Sequence, residues 1–275
     1  MRILVTNDDG VHAPGLGALV RALDAWSHEG GGHEICVVAP LANHSGAGAA
    51  VGTVYEREAV GYRRVRIDGA PGVAAFGLDA PPALTAVIGT SGAFGPTPDV
   101  VVSGINLGVN VGRSILHSGT VGAALTAAQL GFRALAVSLR AQPDPHPWDT
   151  ATTVALRVIP VVAEAPPRTV LNLNVPAVHL GELKGVRPAH VSDAGIVKGA
   201  RLSSIANSGS VELVLGAAIP SLGDTTDEDP SDDAALVAAG YATLTALHGV
   251  GEQHDDGSRA VIERAVREAS LPTPP

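Results

Sequence analysis

The sequence predicts an α/β fold, a Rossmann-like and mostly parallel sheet with helices on both faces. Three observations carry that prediction. Apolar runs of strand length recur along the chain, helically spaced segments lie between them, and the runs are near-continuous in Val, Ile, Leu and Ala, as strands buried on both faces are. At 275 residues and 45% hydrophobic content, the chain suits one large domain with a small extension.

Residues 2–6 form the first run. A polar loop from Asn7 to Pro14 follows, and Leu16, Leu19, Val20 and Leu23 then recur at i, i+3, i+4 and i+7, one face of a helix. Gly30-Gly31-Gly32 closes this unit. Further strands are expected at 35–39, Asp99–Ser103, Ala134–Ser138 and Thr169–Leu173, with helices at about 78–89, 120–130 and 150–164. Two segments read as β-hairpins: Thr53–Glu58 with Arg63–Asp68 through Gly61, and residues 199–204 with 210–216 through Asn207-Ser208-Gly209. The second is expected to be an arm that reaches a partner subunit. Gly223–Asp233 is acidic and turn-rich. Ser231 is expected to cap a short helix before a strand at Tyr241–Leu247, and residues 256–269 to form a terminal helix. The expected organisation is one domain over residues 1–250, with the arm at about 195–220, then a C-terminal helix and tail over residues 251–275.

Net charge is −9, and no Lys/Arg run offers a grip on a nucleic-acid duplex or an anionic membrane. An acidic chain that takes an anionic substrate needs local help from a cation or helix N-termini. The single cysteine, Cys36, excludes an internal disulfide and a multi-Cys zinc site. Within Ile35-Cys36-Val37-Val38 it reads as core packing. The chain enters Arg2-Ile3-Leu4-Val5 without a signal-peptide pattern, and no apolar stretch reaches the roughly 18 residues of a membrane span, so a cytoplasmic enzyme is expected.

Ligands of parallel sheets bind beyond the carboxyl ends of the strands, which puts the loops after residues 6, 39 and 103 along one edge. The first contains Asp8-Asp9. Adjacent carboxylates after a buried strand are costly unless paired or bound to a cation, although alone they would equally serve as a solvated cap. The second loop brings Ser45 and the third Asn106. Two carboxylates, a hydroxyl and an amide oxygen form a hard oxygen set, suited to Mg²⁺, Mn²⁺ or Ca²⁺ and poor for zinc or copper. Ser118-Gly119-Thr120 opens a helix, where free N–H groups and the positive dipole end favour phosphate, and Asn110 lies in the Gly-rich loop before it. His12 and His117 flank these motifs and read equally as donors or as surface residues. Asp224, Asp227, Glu228 and Asp229 lack the full pattern of a calcium loop. The acids of the first loop are adjacent, not in the D-x-D spacing of an aspartyl-phosphate phosphatase, and there is no G-x-G-x-x-G fingerprint, Walker A motif or G-x-S-x-G elbow.

These residues resemble the SurE survival-protein phosphatases. The match is carried by Asn7-Asp8-Asp9-Gly10 with His12-Ala13-Pro14-Gly15, Ala39-Pro40 with Ser45-Gly46, and Ser103-Gly104-Ile105-Asn106. It continues through Ser118–Ala124, Asn172-Leu173-Asn174-Val175-Pro176 and Ala239-Gly240-Tyr241, in family order over about residues 1–250. The resemblance implies a Rossmann-like core with an oligomerisation extension, homodimers or homotetramers, and phosphomonoesterase activity dependent on one divalent ion per subunit, usually toward 5′- or 3′-nucleotides. Its metal-ligand positions fall on Asp8, Asp9, Ser45 and Asn106, and its phosphate contacts on Asn110, Ser118 and Thr120, with Gly119 between them. Asp8 or Asp9 would accept a proton from the attacking water. The sequence departs from the family at Leu41–His44, Gly69–Ala74, His117 and Thr126-Ala127. Three functions follow as expectations: a nucleotidase, a phosphatase for another small phosphomonoester suggested by the altered stretch at 69–77, or a metal- and phosphate-binding protein without turnover.

Overall fold

The computed structural model describes residues 1–56, 58–193, 197–202, 211–215 and 231–250. In chain order its elements are β1 (Arg2–Thr6), α1 (Pro14–Trp26), β2 (Glu34–Pro40), β3 (Tyr62–Val65), β4 (Ala74–Leu78), α2 (Pro82–Thr90), β5 (Val100–Leu107), α3 (Gly119–Gln129), β6 (Ala134–Leu139), α4 (Trp148–Glu164), β7 (Val170–Val175), β8 (Val186–Pro188), β9 (Val197–Leu202), β10 (Val211–Leu215), α5 (Asp233–Ala238) and β11 (Ala242–Leu247).

One nine-stranded sheet has the order β3-β4-β2-β1-β5-β6-β7-β11-β8. The run from β4 to β7 is parallel throughout, β3 and β11 are antiparallel to their inner neighbours, and β8 runs parallel to β11. Alternation along β1 distributes the core. Ile3 and Val5 face a layer built from Leu16, Leu19 and Leu23 of α1 and Ala155, Ile159 and Val162 of α4. Leu4 faces Leu84 of α2 and Val121, Ala124 and Ala127 of α3. Each fully buried Leu, Ile or Val of these layers contributes about 1.5–3 kcal/mol over its exposed state. α1 starts on Pro14, whose fixed φ and missing N–H suit the first helical turn.

From β1 the chain builds outward through β2 to β4. It then crosses back by α2 to start β5 on the other side of β1. The strand order therefore reverses between β1 and β5, and such a switch point opens a crevice at the carboxyl ends of the strands. Asp8, Asp9 and Asn106 all belong to that edge.

Several expectations are corrected. The first hairpin does not pair 53–58 with 63–68. Residues Val54–Glu56 form a short 3-10 turn, and Tyr62–Val65 pairs with Ala74–Leu78 instead. The apolar Ala74–Leu78 already pairs with β2 and offers a free edge, whereas Glu56 and Glu58 place charge in the expected partner. The turn before β4 is closed by Ala70 N–H donating to Ile67 O (3.1 Å) and Val73 N–H to Ala70 O (3.2 Å), with Gly69 at φ +81°, a conformation that favours glycine. The cap of α5 is Asp232, not Ser231: its carboxylate accepts from Ala235 N–H at 2.5 Å. A carboxylate also meets the positive end of the helix with full charge. β5 extends past Ser103, and its register against β6 slips so that Ser103 faces Ala136 while Asn106 faces Ser138. The extra residue is a bulge, a device that re-aims side chains at strand ends. The expected arm is an antiparallel pair, β9 with β10, forming a separate two-stranded sheet. Its link Asn207-Ser208-Gly209, the acidic residues Asp224–Asp229 and the helix expected at 256–269 lie outside the described residues. Among the described residues no helix is long and apolar enough to cross a membrane.

Candidate active site

The loop after β1 is tied down by the backbone. Val11 N–H donates to Pro40 O and His44 N–H to Asp8 O, both at 2.7 Å, so the first and second loops are fastened together. Asn7 turns its amide inward onto Gly10 O at 2.9 Å. Asp8 and Asp9 are thereby held side by side at the switch point.

Asp8 is only 3% exposed. Thr120 Oγ1 donates to its Oδ1 at 2.5 Å. Burial raises the Asp8 pKa above its usual value, while the Thr120 hydroxyl and the peptide N–H groups of Thr120 and Gly119 favour the ionised form and oppose the shift. The positive end of α3 is thus aimed at Asp8. Ser118 is the N-cap: its Oγ accepts from Val121 N–H at 3.1 Å, and the hydroxyl hydrogen is not needed for that contact. Gly119 is required by space, because a Cβ there would lie 2.6 Å from Asp8 Cβ.

Asp9 is half-buried. Its pKa is also raised, first by burial and then by the neighbouring Asp8 charge, and it is lowered by the Leu107 N–H and the Ser45 hydroxyl. The Leu107 contact is long, 3.5 Å. Asn43 buttresses Ser45, its Oδ1 lying 2.7 Å from both the Ser45 nitrogen and the Ser45 Oγ. The Ser45 hydroxyl therefore stands within reach of both Asn43 and Asp9. Asn106 donates its Nδ2 to Gly108 O at 2.6 Å, leaving the amide oxygen as its unused end.

The structure brings Asp8, Gly119, Thr120 and Ser118 into one cluster and Asp9, Ser45 and the Asn106-Leu107 strand end into an adjoining one. Asn110 forms its hydrogen bonds with β6 and β7 and none with either cluster. Its Nδ2 donates to Ser138 Oγ (2.8 Å), its N–H to Asn174 Oδ1 (2.7 Å), and its carbonyl accepts from Asn172 Nδ2 (2.8 Å) and Asn174 Nδ2 (3.0 Å). The side chains of His12 and His117 are exposed. Among the described residues no group of three or more His, Cys, Asp or Glu assembles a metal site. The cation-binding set available here is two carboxylates with neutral oxygens, chemistry suited to a hard divalent ion.

Sequence reasoning missed Asn43, Ser138 and the buried Asp233, whose carboxylate accepts from Gly112 N–H and Ser192 N–H and whose pKa burial raises. A signal for the network existed in β7: Asn172 and Asn174 recur at period two in an otherwise apolar strand, so a polar pair faces one side.

The family model described as "Survival protein SurE" matches residues 3–197. The chain is 35% identical over 256 residues to a protein of Klebsiella pneumoniae (strain 342) named 5′/3′-nucleotidase SurE, covering 90% of each sequence. The same name and 35% identity over 256 residues hold for a relative from Escherichia coli O1:K1 / APEC, again covering 90% of each. The crystal structure of the SurE protein from Aquifex aeolicus superimposes with a TM-score of 0.74 at 26% identity, over 97% of this chain and all of that one. With motifs, fold and relatives agreeing along the length of the chain, the protein belongs to the SurE survival-protein family.

Proposed function

We propose that this chain is a metal-dependent phosphomonoesterase that releases phosphate from nucleoside 5′- or 3′-monophosphates. The observation that carries the proposal is the juxtaposition of Asp8 and Asp9 at the switch point, with Ser45 against Asp9 and the positive end of α3 against Asp8. Burial and mutual repulsion disfavour the ionised pair, and a divalent ion offsets both. Asp8, Asp9, Ser45 and the amide oxygen of Asn106 are the residues that would hold one Mg²⁺, Mn²⁺ or Ca²⁺. When bound, such an ion supplies Lewis-acid polarisation of a phosphoryl oxygen and a lowered pKa for water at the site.

The protein's own groups divide the remaining work. Asp9, the more open carboxylate, takes the proton of the attacking water as its oxygen bonds to phosphorus; the P–O bond to the nucleoside breaks, and the leaving oxygen takes up a proton from solvent. Ser118 donates the hydroxyl hydrogen that capping leaves unused. Gly119 and Thr120 contribute the α3 N-terminus, which favours an anion, and Thr120 also fixes Asp8. Asn110 offers the second hydrogen of its carboxamide. Preorganised donors of this kind stabilise charge developing on the phosphoryl oxygens. Of the altered stretch 69–77, residues 69–73 precede β4, at the sheet edge opposite the site, and residues 74–77 lie within β4 itself.

A phosphate-release panel tests this reading. Nucleoside monophosphates are expected to be hydrolysed with added Mg²⁺ or Mn²⁺, and exhaustive chelation to reduce the rate by about 100-fold or more, restored on adding the ion back. Undiminished activity after chelation, or release only from non-nucleotide esters, overturns it. A homodimer or homotetramer belongs to the same proposal. The β9–β10 ribbon stands outside the main sheet, and an isolated two-stranded ribbon is marginal without further packing. Sedimentation equilibrium on the full chain should return an oligomer; a monomer at micromolar concentration removes the assembly.

A further inference from the structure

The loop from Gly108 to Val111 joins the strand carrying Asn106 to the turn that leads into Ser118. It crosses the carboxyl ends of β6 and β7, where its peptide groups leave water and must find partners. Asn174 supplies them as a β-strand would, its Oδ1 accepting from Asn110 N–H and its Nδ2 donating to Asn110 O, with Asn172 Nδ2 on the same carbonyl. Two residues further, Gly112 N–H is held by Asp233. These contacts account for the backbone. Ser138 does something they do not require: its fully buried Oγ accepts from the Asn110 carboxamide at 2.8 Å.

A primary carboxamide has two N–H hydrogens and one carbonyl oxygen. Engaging one hydrogen fixes the plane of the group and leaves its other hydrogen and its oxygen free. Asn110 is itself only 8% exposed, so with Ser138 absent the amide would turn to whatever acceptor its walls offer.

We propose that Ser138 is a positioning residue for phosphate-ester binding: it orients the Asn110 carboxamide, while Asn172 and Asn174 fix the Asn110 backbone. The proposal rests on the reading of Asn110 as a substrate contact. Ser138 lies beside Asn106 in the sheet, but its hydroxyl bonds to Asn110; it acts through Asn110, and its loss is felt in affinity.

A double-mutant cycle tests it, using Ser138→Ala, Asn110→Ala and the double variant, with Ser138→Thr as the hydroxyl-retaining control. The measurements are KM and kcat for a nucleoside monophosphate with Mn²⁺, the dissociation constant of inorganic phosphate for the Mn²⁺-loaded protein by calorimetry, and Tm. Ser138→Ala is expected to raise KM and the phosphate dissociation constant about 5-fold, the scale of one neutral hydrogen bond, with kcat within about 2-fold. Ser138→Thr should restore most of the loss. In the Asn110→Ala background the Ser138→Ala change should cost less than about 2-fold, because no carboxamide remains to orient. Equal cost in both backgrounds, or a fall confined to kcat or Tm, overturns the proposal. If the unsubstituted protein releases no phosphate from nucleotides, the nucleotidase reading fails, yet the phosphate titration still decides the role of Ser138. If phosphate does not bind at all, both fall.

Discussion

Asp8→Asn is expected to abolish hydrolysis, by about 10³-fold or more at saturating Mn²⁺, while leaving the fold in place. The substitution keeps the shape of the side chain and an oxygen to accept from the Thr120 hydroxyl. It removes one of the two negative charges in the proposed ion site, and loss of one preorganised charge-stabilising group alone costs about 10²–10³-fold. Its effect on stability separates a ligand from a structural residue. Burial disfavours the Asp8 charge, which Thr120 and the α3 N-terminus only partly compensate. Without metal, removing that charge relieves desolvation, while the new amide hydrogens face the donors of Gly119 and Thr120. The two effects oppose, so the metal-free Tm should stay within a few degrees. With metal the outcomes part: an ion that binds only the folded state raises Tm, and the variant should show little of that rise. Paired melts with and without Mn²⁺, alongside phosphate release, check this. A variant within 10-fold of full activity removes Asp8 from the chemistry, and a metal-free Tm lowered by more than about 10 °C makes its role structural.

The main features of the fold were legible because they depend on local periodicity. The runs at residues 2–6, 35–39 and 134–138 became β1, β2 and β6, and the i, i+3, i+4, i+7 stripe of Leu16 to Leu23 became the buried face of α1. The parallel order placed the loops carrying Asp8, Ser45 and Asn106 on one edge, so the grouping of these residues was legible too. What failed depended on competition between partners that a one-dimensional pattern does not rank. Tyr62–Val65 had two candidate strands to pair with, and burial of Ala75 and Leu78 chose β4. Ser231 and Asp232 both could cap, and the carboxylate prevailed. The hydrogen-bond assignment at the helix N-terminus was the deepest miss. The sequence placed free N–H groups at Gly119 and Thr120 for phosphate, and the fold turns them on Asp8 as well. Which acceptor a donor meets is set by residues 112 positions apart.

That same contact makes Gly119→Ala the sharper test of the site. Alanine is the better helix former by about 1 kcal/mol in a helix interior, and Gly119 is the first residue of α3, where backbone geometry poses no objection. The nearest obstacle is Asp8: an added Cβ would stand 2.6 Å from its Cβ and 2.8 Å from its Oδ2. Neither side gives without disturbing packed backbone. Asp8 follows a β1 whose residues Leu4 to Thr6 are at most 2% exposed. One turn along α3, Gly122 already rides against Gly48, where a Cβ would lie 2.2 Å from the carbonyl oxygen. The clash must therefore be relieved by displacing the Asp8 carboxylate, on the order of an ångström, and misplacement on that scale costs about 10²-fold in rate. Gly119→Ala should lose about 100-fold in phosphate release and weaken Mn²⁺ binding by calorimetry. Gly17→Ala in α1 is the matched control, since a Cβ there meets only the flexible end of Arg21 at 3.1 Å. It should gain about 0.5–1 kcal/mol in stability with activity unchanged. If Gly119→Ala behaves like Gly17→Ala, the α3 N-terminus does not position Asp8, and the link between helix and ion site is broken.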